Sequence, residues 1–502
     1  MPLGAFASGF DILAILHPSP GDEILEVKEE MLDIGDLLRL SKPKIIPPLH
    51  PSFTPAANFD RNFRDFANSS PAQVPLVIGL ERGDGSFSVY RTQCLDEGYE
   101  FAALNFPYAE RLVKMLLWQR GGWRVVVGGP PSVGEHIRHV YSQGGQRAFD
   151  VDFMANVYEH PFTVEITKAD KVSAPNEGTV RLGGHLEGCR IGFDLGASDR
   201  KVAAVKDGEA VYTEEVIWDP RNAADPRYHF DQINSALKAA AQHLPRVDAI
   251  GGSAAGVYIN NRPRVGSLYR GVPKPLFDTQ IRNLFLDLQK AWGGIPFAVV
   301  NDGEVTALAG AMSLEDTAVL GVALGSSEAG GYVTPTGELT TWLNELAFCP
   351  VDIDPQAPVD EWSGDRGVGA NYFSQQAVFR LAPVAGITLD SRLGPAEKLK
   401  SVQELLQRGD ERARLIFETI GCYVGYGVAH YADFYELRHV LILGRVTSGE
   451  GGNIIMARAQ EVLKQEFPAL ATKVALHLPD ESTRRVGQAV AAASLPELRT
   501  KA

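Results

Sequence analysis

Residues 190–205, RIGFDLGASDRKVAAV, carry the pattern that decides the fold. Two apolar runs flank a turn of small residues, and the first run leads into Asp194. The turn consists of Gly196, Ala197 and Ser198. This pattern predicts a β-hairpin with a carboxylate at its tip. Small residues let backbone N–H groups approach phosphate oxygens, and a carboxylate can hold Mg²⁺ through its water shell, so the hairpin is typical of half a nucleotide site.

A second stretch, residues 318–333 (AVLGVALGSSEAGGYV), has the same organisation. An apolar strand runs into a turn of small residues, and a β-rich segment follows. Taken singly, each hairpin is better explained as an ordinary tight turn. The pair, with Asn301 and Asp302 between its members, favours a duplicated fold whose halves present facing phosphate-binding turns. The candidate phosphate contacts of the second turn are Gly325, Ser326, Ser327 and Gly330.

Asp302 follows the apolar residues 297–300, at the predicted carboxyl end of a strand. Open α/β sheets present their catalytic groups at this end of their strands. Phosphoryl transfer to an alcohol needs a group that accepts the hydroxyl proton, and a carboxylate within hydrogen-bond reach can do so. The helix predicted at residues 304–311 leaves an alternative open, because an Asp after a strand is often only a helix N-cap.

These segments resemble the ROK sugar kinases of the actin/hexokinase/Hsp70 ATPase superfamily. The matching segments are DLGAS (194–198), VVND (299–302), LGSSEAGG (324–331), NELAFCPV (344–351) and LILG (441–444). The resemblance covers residues 188 to about 495, roughly the last three fifths of the chain. It implies an α/β fold, the duplicated actin-like ATPase (ribonuclease H-like) fold of two lobes. An additional α+β N-terminal domain would precede this fold.

The resemblance also implies roles for individual residues. Asp302 would be the catalytic base, and Asn301 and Glu345 would contact the sugar. Asp194 would organise Mg²⁺ through water, the two turns would hold the phosphates of ATP, and Gly444 would lie against adenosine. The small residues of 247–259 suggest a further wall close to a ligand, with Gly252 as a substrate contact. Close packing of a strand on a helix explains Gly252 equally well.

Two departures from the family pattern bear on nucleotide binding. The first loop of the family is usually Gly-Gly-Thr followed closely by Lys, whereas Asp199 and Arg200 precede Lys201 in this chain. In the second loop Glu328 stands among the small residues, and its charge would repel a triphosphate unless it points away or binds the metal.

Other departures concern the sugar site and a metal. The Glu-x-Gly-His motif of the family is present as Glu345 to Phe348, so the carboxylate remains and the imidazole is lost. The second sugar-contacting Glu of the family falls at Ala370. The cysteine cluster that usually holds structural zinc is missing, so we expect no structural zinc. A different or less polar substrate, or none, would follow from these losses.

The composition excludes some functions. A formal net charge of −14 and a pI near 5.3 argue against nucleic-acid binding, which needs a basic face. The four cysteines are far apart in sequence and are expected to be free, mostly buried thiols in a reducing compartment. The sequence contains neither a signal-peptide pattern nor a long apolar run, so we expect a cytoplasmic location without membrane contact. The resemblance suggests a homodimer.

We divide the chain into four parts. Residues 1–70 form an N-terminal arm whose proline-rich segment, residues 42–55, should lie along a surface. Residues 71–187 form a small α/β accessory domain. Residues 188–303 form lobe 1, and residues 304–502 form lobe 2, whose terminal helix should return to lobe 1. Further predicted helices are 23–40, 108–119, 133–141, 226–243 and 277–292.

The favoured function is ATP-dependent phosphorylation of a sugar or polyol hydroxyl. The alternative is a catalytically inactive protein that senses a carbohydrate or a nucleotide. The intact Asn-Asp pair favours the kinase, and the altered loops with the missing His favour the sensor. A ROK-type transcriptional repressor is not favoured, because residues 1–187 show strand-rich patterning and no two-helix DNA-reading unit.

Overall fold

The structure is a computed structural model that describes residues 33–83, 85–177, 179–180, 183–479 and 481–498. Most of the helix predicted at residues 23–40 lies outside the described residues. Its described end forms helix α1 (Ile34–Leu40), which Asp33 caps by accepting a hydrogen bond from the backbone of Asp36.

The N-terminal region contains a four-stranded sheet in the order β2-β1-β3-β4. Its strands are β1 (Gln73–Glu81), β2 (Phe87–Leu95), β3 (Arg124–Gly128) and β4 (Thr163–Thr167). Its helices are α2 (Ala56–Ser69), α3 (Asn105–Arg120), α4 (Pro131–Val140) and α5 (Ala148–Tyr158). The helices predicted at 108–119 and 133–141 correspond to α3 and α4. The short strand β5 (Thr179–Val180) follows and joins a sheet of lobe 2.

Lobe 1 is built on a five-stranded sheet in the order β12-β9-β6-β7-β8. Its strands are β6 (Cys189–Leu195), β7 (Asp199–Lys206), β8 (Glu209–Ile217), β9 (Ala249–Ala254) and β12 (Phe297–Asn301). A small hairpin, β10 (Val257–Ile259) and β11 (Arg262–Val265), lies beside it. β6, β7 and β8 are successively antiparallel, while β9 and β12 continue the sheet parallel to β6.

The helices of lobe 1 are α6 (Pro226–Ala241), α7 (Lys274–Thr279) and α8 (Leu284–Ala291). The single helix predicted at 277–292 is therefore wrong, because α7 and α8 are separate. The break has a local cause: the Thr279 hydroxyl donates to the carbonyl of Pro275 at 2.7 Å, and the Asn283 amide donates to the carbonyl of Thr279 at 3.1 Å. Such side-chain bonds compete with a continuous helix.

Lobe 2 repeats the arrangement of lobe 1 in a six-stranded sheet, β17-β16-β13-β14-β15-β5. Its own strands are β13 (Val319–Leu324), β14 (Glu328–Val333), β15 (Leu339–Thr340), β16 (His439–Leu443) and β17 (Ala475–His477). β13, β14 and β15 are successively antiparallel, and β16 and β17 run parallel to β13. Both lobes thus place an antiparallel three-strand unit beside two parallel strands, which confirms the predicted duplicated ribonuclease H-like fold.

The helices of lobe 2 are α9 (Asp302–Leu314), α10 (Gln375–Val384), α11 (Pro395–Gln407), α12 (Glu411–Tyr431), α13 (Glu450–Glu466), α14 (Pro468–Ala471) and α15 (Glu481–Ala493). The terminal segment returns to lobe 1. There the buried Arg190 of β6 donates to the carbonyl of Pro496 at 2.7 Å. None of the helices in the described part of the chain is long and apolar enough to cross a membrane.

The proline-rich arm lies along one face of α12. The backbone N–H of Leu49 donates to the hydroxyl of Thr419 at 3.1 Å, and that of Ile45 donates to the hydroxyl of Tyr426 at 3.2 Å. Thr419 and Tyr426 are seven residues apart and therefore share a helix face. Side-chain hydroxyls thus satisfy backbone donors that an irregular segment cannot pair internally.

The N-terminal sheet and lobe 2 share one hydrophobic core. At its centre the ring of Trp118 on α3 packs on Phe348 of lobe 2, with 4.3 Å between the ring centroids. Lobe 1 has a core of its own, which contains Phe193 and Phe285. This shared core therefore extends across the domain boundary predicted at residue 187. The domain boundaries themselves remain predictions.

Candidate functional site

The first turn joins β6 to β7 and is held in one shape by its neighbours. The backbone N–H of Gly196 donates to the carbonyl of Asp199 at 2.9 Å. The indole N–H of Trp218 donates to the carbonyl of Gly196 at 2.8 Å. Ala197 is half-buried and Ser198 is exposed, so the tip of the turn is open to a ligand.

The second turn, Gly325 to Ser327, joins β13 to β14. The N–H of Gly325 donates to the carbonyl of Ser327 at 3.1 Å, and Ser326 and Ser327 are both exposed. Gly444 lies next to this turn at the end of β16. Its φ is 107°, and a Cβ there would lie 2.4 Å from the carbonyl oxygen of Leu324. Only glycine fits this approach between the ends of the two strands.

The sequence assigned Gly330 to the phosphate turn, and the structure corrects this assignment. Gly330 lies within β14, and its carbonyl oxygen would be 2.1 Å from a Cβ on Gly303. A Cβ on Gly330 itself would lie 2.6 Å from the side chain of Leu346. Gly330 therefore allows Leu346 to pack on β14, while Gly303 allows the start of α9 to approach the same strand, and the turn itself consists of residues 325–327.

Glu328 points away from the turn. Its side chain is buried, and its carboxyl accepts a hydrogen bond of 2.8 Å from the hydroxyl of Tyr431 on α12. Burial raises the pKa of Glu328 to about 8, so this group is largely protonated at neutral pH. The sequence suggested that Glu328 would repel a triphosphate. Because its carboxyl is largely protonated and is turned toward Tyr431, this repulsion does not arise at the turn.

Asp194 lies at the end of β6 and is buried. One carboxylate oxygen accepts a hydrogen bond of 2.6 Å from the hydroxyl of Ser253, and the other lies 3.5 Å from the ammonium of Lys201. Lys201 is also 3.0 Å from Asp199. Asp194 and Asp199 therefore share one ammonium group at the first turn.

Asn301, and not Asp302, is the N-cap of α9. The Asn301 side-chain oxygen accepts a hydrogen bond of 2.7 Å from the N–H of Gly303, and its amide donates to the carbonyl of Gly256 at 2.8 Å. Asp302 accepts a weaker bond of 3.1 Å from the same Gly303 N–H. The cap role that the sequence left open for Asp302 therefore belongs to its neighbour. Asn301, the predicted substrate contact, is engaged through both ends of its amide.

Asp302 belongs to a group of carboxyls with raised pKa values. Burial first, and then the negative charge of Asp194, raise the pKa of Asp302 to about 6. Burial and the charge of Asp302 raise the pKa of Glu345 to about 7. Burial and the charge of Glu345 raise the pKa of Glu304 to about 8. Asp302, Glu304 and Glu345 are half-buried, as expected of groups on the wall of a cleft. The structure thus places Asp194, Asp302 and Glu345 near one another, while their roles at the site remain predictions.

The backbone of Glu345 is held by the N-terminal region. Its N–H donates to the carbonyl of Trp118 at 3.0 Å, and the N–H of Asn344 donates to the carbonyl of Gln119 at 2.8 Å. Both acceptors lie in the last turn of α3, where carbonyls lack partners within the helix. This region, to which the sequence assigned no role at the site, therefore supports one of the candidate site residues.

Sequence reasoning missed three residues near the site. Glu304 lies in the first turn of α9, and its place after Asn-Asp was taken only as a helix start. Tyr258 lies close enough to Asp302 that the carboxylate contributes, after burial and Tyr269, to raising the tyrosine pKa. Arg445 follows Gly444 and had no signal beyond its place after the last glycine turn.

Arg445 connects the two turns electrostatically. Burial raises the pKa of Asp199, but Lys201, the Ser198 hydroxyl and the charge of Arg445 together hold it below its ordinary value. Arg445 is exposed and lies next to the second turn, whereas Asp199 belongs to the first. Arg445, beside the second turn, is therefore close enough to the first turn to act on the charge of Asp199. No carboxylate in the described part of the chain forms an ion pair with Arg445.

Gly252 receives a packing explanation. It lies within β9, opposite Phe193 of β6, and a Cβ there would be 2.1 Å from the ring of Phe193. The ring occupies the space in front of this residue. Of the two explanations that the sequence left open, close packing therefore accounts for the glycine at position 252, and its contact with a substrate remains a prediction.

Comparison with known proteins gives matches among solved structures. No protein-family model matches the chain, and no curated protein matches it. The solved structures that it matches include ROK family proteins. A ROK family glucokinase from Streptomyces griseus, in complex with glucose and AMPPNP, has 19% identity and a TM-score of 0.46 over 61% of this chain and 99% of that chain.

Two further matches differ in function from each other. A ROK hexokinase from Thermus thermophilus has 17% identity and a TM-score of 0.47 over 61% of this chain and 97% of that chain. A ROK family transcriptional regulator, described as a homolog of the E. coli MLC protein, has 17% identity and a TM-score of 0.48 over 62% of this chain and 79% of that chain. The matched proteins thus include both sugar kinases and a regulator.

Proposed function

We propose that the protein is an ATP-dependent kinase of a sugar or polyol, with Asp302 as the catalytic base. One observation carries the proposal. The carboxylate of Asp302 is half-buried between Asp194 and Glu345, while Asn301 provides the cap of α9. Asp302 is therefore not needed as the cap of α9, and its pKa of about 6 leaves it ionised at neutral pH.

The chemistry follows from the carboxyl group. As the substrate hydroxyl attacks the terminal phosphorus of ATP, Asp302 accepts the hydroxyl proton, and the bond between that phosphorus and the bridging oxygen of ADP breaks. Glu345 holds another substrate hydroxyl. Because the pKa of Glu345 is raised to about 7, this carboxyl can donate as well as accept a hydrogen bond near neutral pH.

The residues at the turns fit a nucleotide with Mg²⁺. The hydroxyls of Ser198, Ser326 and Ser327 are exposed on the two turns, and Arg445 supplies a positive charge beside them. In the described part of the chain no group of three His, Cys, Asp or Glu side chains is placed to hold a metal ion alone. Asp194 would hold Mg²⁺ with the phosphates, since this ion usually binds through one or two carboxylates, water and phosphate. Bound there, Mg²⁺ would neutralise phosphate charge.

One observation favours the second function, an inactive sensor of a carbohydrate or nucleotide. Lys201 is paired with both Asp194 and Asp199, so the first turn offers no free ammonium group to a phosphate. In that case ligands bind between the lobes without reaction.

The experiment is an assay of ATP consumption by the purified full-length protein against a panel of sugars and polyols. The Asp302→Asn variant is the control for a contaminating kinase. We expect turnover with at least one substrate in the wild type and its loss in the variant. Nucleotide or sugar binding without turnover by any member of the panel would instead support the sensor.

A further inference from the structure

Lobe 1 contains a basic segment that is unusual in an acidic protein. Residues 249–277 contain no Asp or Glu, whereas the whole chain has a formal net charge of −14. The segment carries Arg262, Arg264, Arg270 and Lys274. It begins at β9 and includes the small hairpin β10–β11, so its charges lie in the part of lobe 1 that adjoins the candidate site.

Two tyrosines connect this segment to Asp302. The carboxylate of Asp302 is part of the surroundings of Tyr258. The hydroxyl of Tyr258 lies 3.4 Å from that of Tyr269, which is the residue before Arg270. The amide of Asn301 also donates to the carbonyl of Gly256 at 2.8 Å, so this segment adjoins the candidate site.

Most of the neighbouring cations are already neutralised. Arg264 and Arg282 both form ion pairs with Glu159, at the end of α5. Lys274 pairs with Asp278 at 3.2 Å, and Arg262 donates to the side-chain oxygen of Asn283. The partners of these four side chains within the protein account for their positions, so none of the four indicates a ligand.

Arg270 and Arg221 are not neutralised. Among the residues that the structure describes, no carboxylate forms an ion pair with the guanidinium of Arg270 or of Arg221. The two loops touch, because a Cβ on Gly271 would lie 2.7 Å from the carbonyl oxygen of Arg221. Burial, and then the charge of Arg270, lower the pKa of Arg221, so the two positive charges are close together. Two adjacent cations without a counterion form a site for an anion.

The opposite wall supplies an aromatic surface. The guanidinium of Arg270 lies 4.9 Å from the centre of the Trp362 ring, which belongs to lobe 2. The side chain of Trp362 is 60% exposed. The guanidinium lies over the Trp362 ring, and the exposed remainder of the ring suits a sugar that carries an anionic group, since the sugar packs on the aromatic surface while the anion meets the cations.

We propose that Arg270 and Arg221 bind an anionic group of the substrate, and that the substrate is therefore a sugar bearing a carboxylate or a phosphate. This inference rests on the proposed function for the place where the sugar lies, and adds the class of sugar. The contact between Arg270 and Trp362 joins the two walls, so the anion would be bound where the lobes meet.

Binding without nucleotide tests the inference independently of turnover. The full-length protein is titrated calorimetrically with glucose, glucuronate and glucose 6-phosphate, and with the corresponding sets built on mannose, galactose and N-acetylglucosamine. We expect a charged member of at least one set to bind at least about tenfold more tightly than its neutral member. The carboxylate and phosphate arms show which anion is preferred.

Arginine variants locate the binding. Arg270→Ala and Arg221→Ala should each weaken binding of the charged sugar by about 10- to 100-fold, and Arg270→Lys should weaken it less. The control is Arg227→Ala, because Arg227 is exposed and already paired with Asp225 at 2.8 Å. The inference is overturned if no charged sugar binds, if neutral sugars bind equally well, or if Arg270→Ala leaves charged-sugar binding unchanged, in which case Arg270 only joins the lobes.

The two proposals fail in different ways. If the wild type turns over only neutral sugars, the anion site is refuted and the kinase stands. If charged sugars bind through Arg270 and no sugar is phosphorylated, the kinase is refuted and the anion site stands.

Discussion

The carbonyl oxygen of Trp118, in the last turn of a helix of the N-terminal region, accepts a 3.0 Å hydrogen bond from the backbone N–H of Glu345. Through this contact the N-terminal region sets the position of a carboxyl at the candidate site. The indole of Trp118 is fully buried and packs on Phe348, three residues after Glu345. The N-terminal region is thus part of the support of the site.

Trp118→Ala should lower the free energy of unfolding by about 3–5 kcal/mol, because it leaves a large cavity in the shared core. Sugar binding should weaken as well, since loss of the indole packing on Phe348 loosens the segment that carries Glu345. Val384→Ala is the control. Val384 is 61% exposed, and the change should alter stability by less than about 0.5 kcal/mol. Urea unfolding measures both, and equal losses would contradict the expectation.

Asp302→Asn should reduce turnover by about 10²- to 10⁴-fold, because the amide cannot accept the substrate proton. Nucleotide binding should persist, and stability should change by less than about 1 kcal/mol, since Asn301 is the cap. Asn301→Ala is the reciprocal variant. It removes the cap and should cost about 0.5–2 kcal/mol of stability. Near-normal turnover by a natively stable Asp302→Asn protein would remove Asp302 from the mechanism.

The pH profile of kcat/KM should rise through pH 6. The base acts only when deprotonated, and the pKa of Asp302 is raised to about 6 by burial and by Asp194. Activity should therefore be lost as the pH falls below this value, well above the usual range of an aspartate. Because Glu345 titrates nearby, the measured value belongs to the coupled pair. An ascending limb centred near pH 4 would contradict the proposed environment of Asp302.

Glu328→Gln should flatten the dependence of stability on pH. The pKa of Glu328 is raised from 4.5 to about 8, so the folded protein keeps a proton that the unfolded chain releases. Its contribution is fully present below pH 4.5 and is lost as the pH rises through 8. The difference between wild type and variant should amount to about 2–4 kcal/mol between pH 5 and pH 9.

Unfolding curves across that pH range measure this difference. The side chain of Glu404 is 46% exposed and has ion-pair contacts of 4.0 Å to Lys400 and Arg408, so Glu404→Gln provides the control variant. If the free energy of unfolding changed with pH in the same way in the wild type and in Glu328→Gln, Glu328 would be ionised in the folded protein at neutral pH.

Arg445→Ala should weaken ATP binding by about tenfold or more and leave sugar binding unchanged, since a charge-assisted hydrogen bond contributes about 1.5–3 kcal/mol. Arg438→Ala is the control, because Arg438 precedes the same strand at its other end and pairs with Asp316 at 2.8 Å. Calorimetric titration with a non-hydrolysable ATP analogue measures the effect. Equal affinity of Arg445→Ala and the wild type would place the phosphates elsewhere.

Much of the fold could be predicted from local patterns. The two hairpins, the strand before Asp302 and the helices near residues 108–119 and 226–243 all follow from apolar periodicity and from turn residues. The helix at 277–292 could not be predicted as two, because the break depends on side-chain bonds of Thr279 and Asn283 that the periodicity does not reveal.

The site was predicted less completely than the fold. Asp194, Asp302 and Glu345 do lie together, but the sequence could not decide between Asn301 and Asp302 as the helix cap, since both residue types cap helices well. Gly330 and Gly252 illustrate another limit. A glycine in a strand accommodates either a ligand or a neighbouring chain, and only the packed neighbour distinguishes the two.

The sequence by itself determined the strand–turn–strand units and the place of Asp302 at the end of a strand, because these depend on residues close to one another along the chain. Only the tertiary structure decided that Glu328 turns toward Tyr431, that Trp118 supports Glu345 and that Arg270 meets Trp362. Each of these contacts joins residues distant in sequence. The burial of apolar surface that brings them together is non-directional, so local patterns do not encode which polar groups meet.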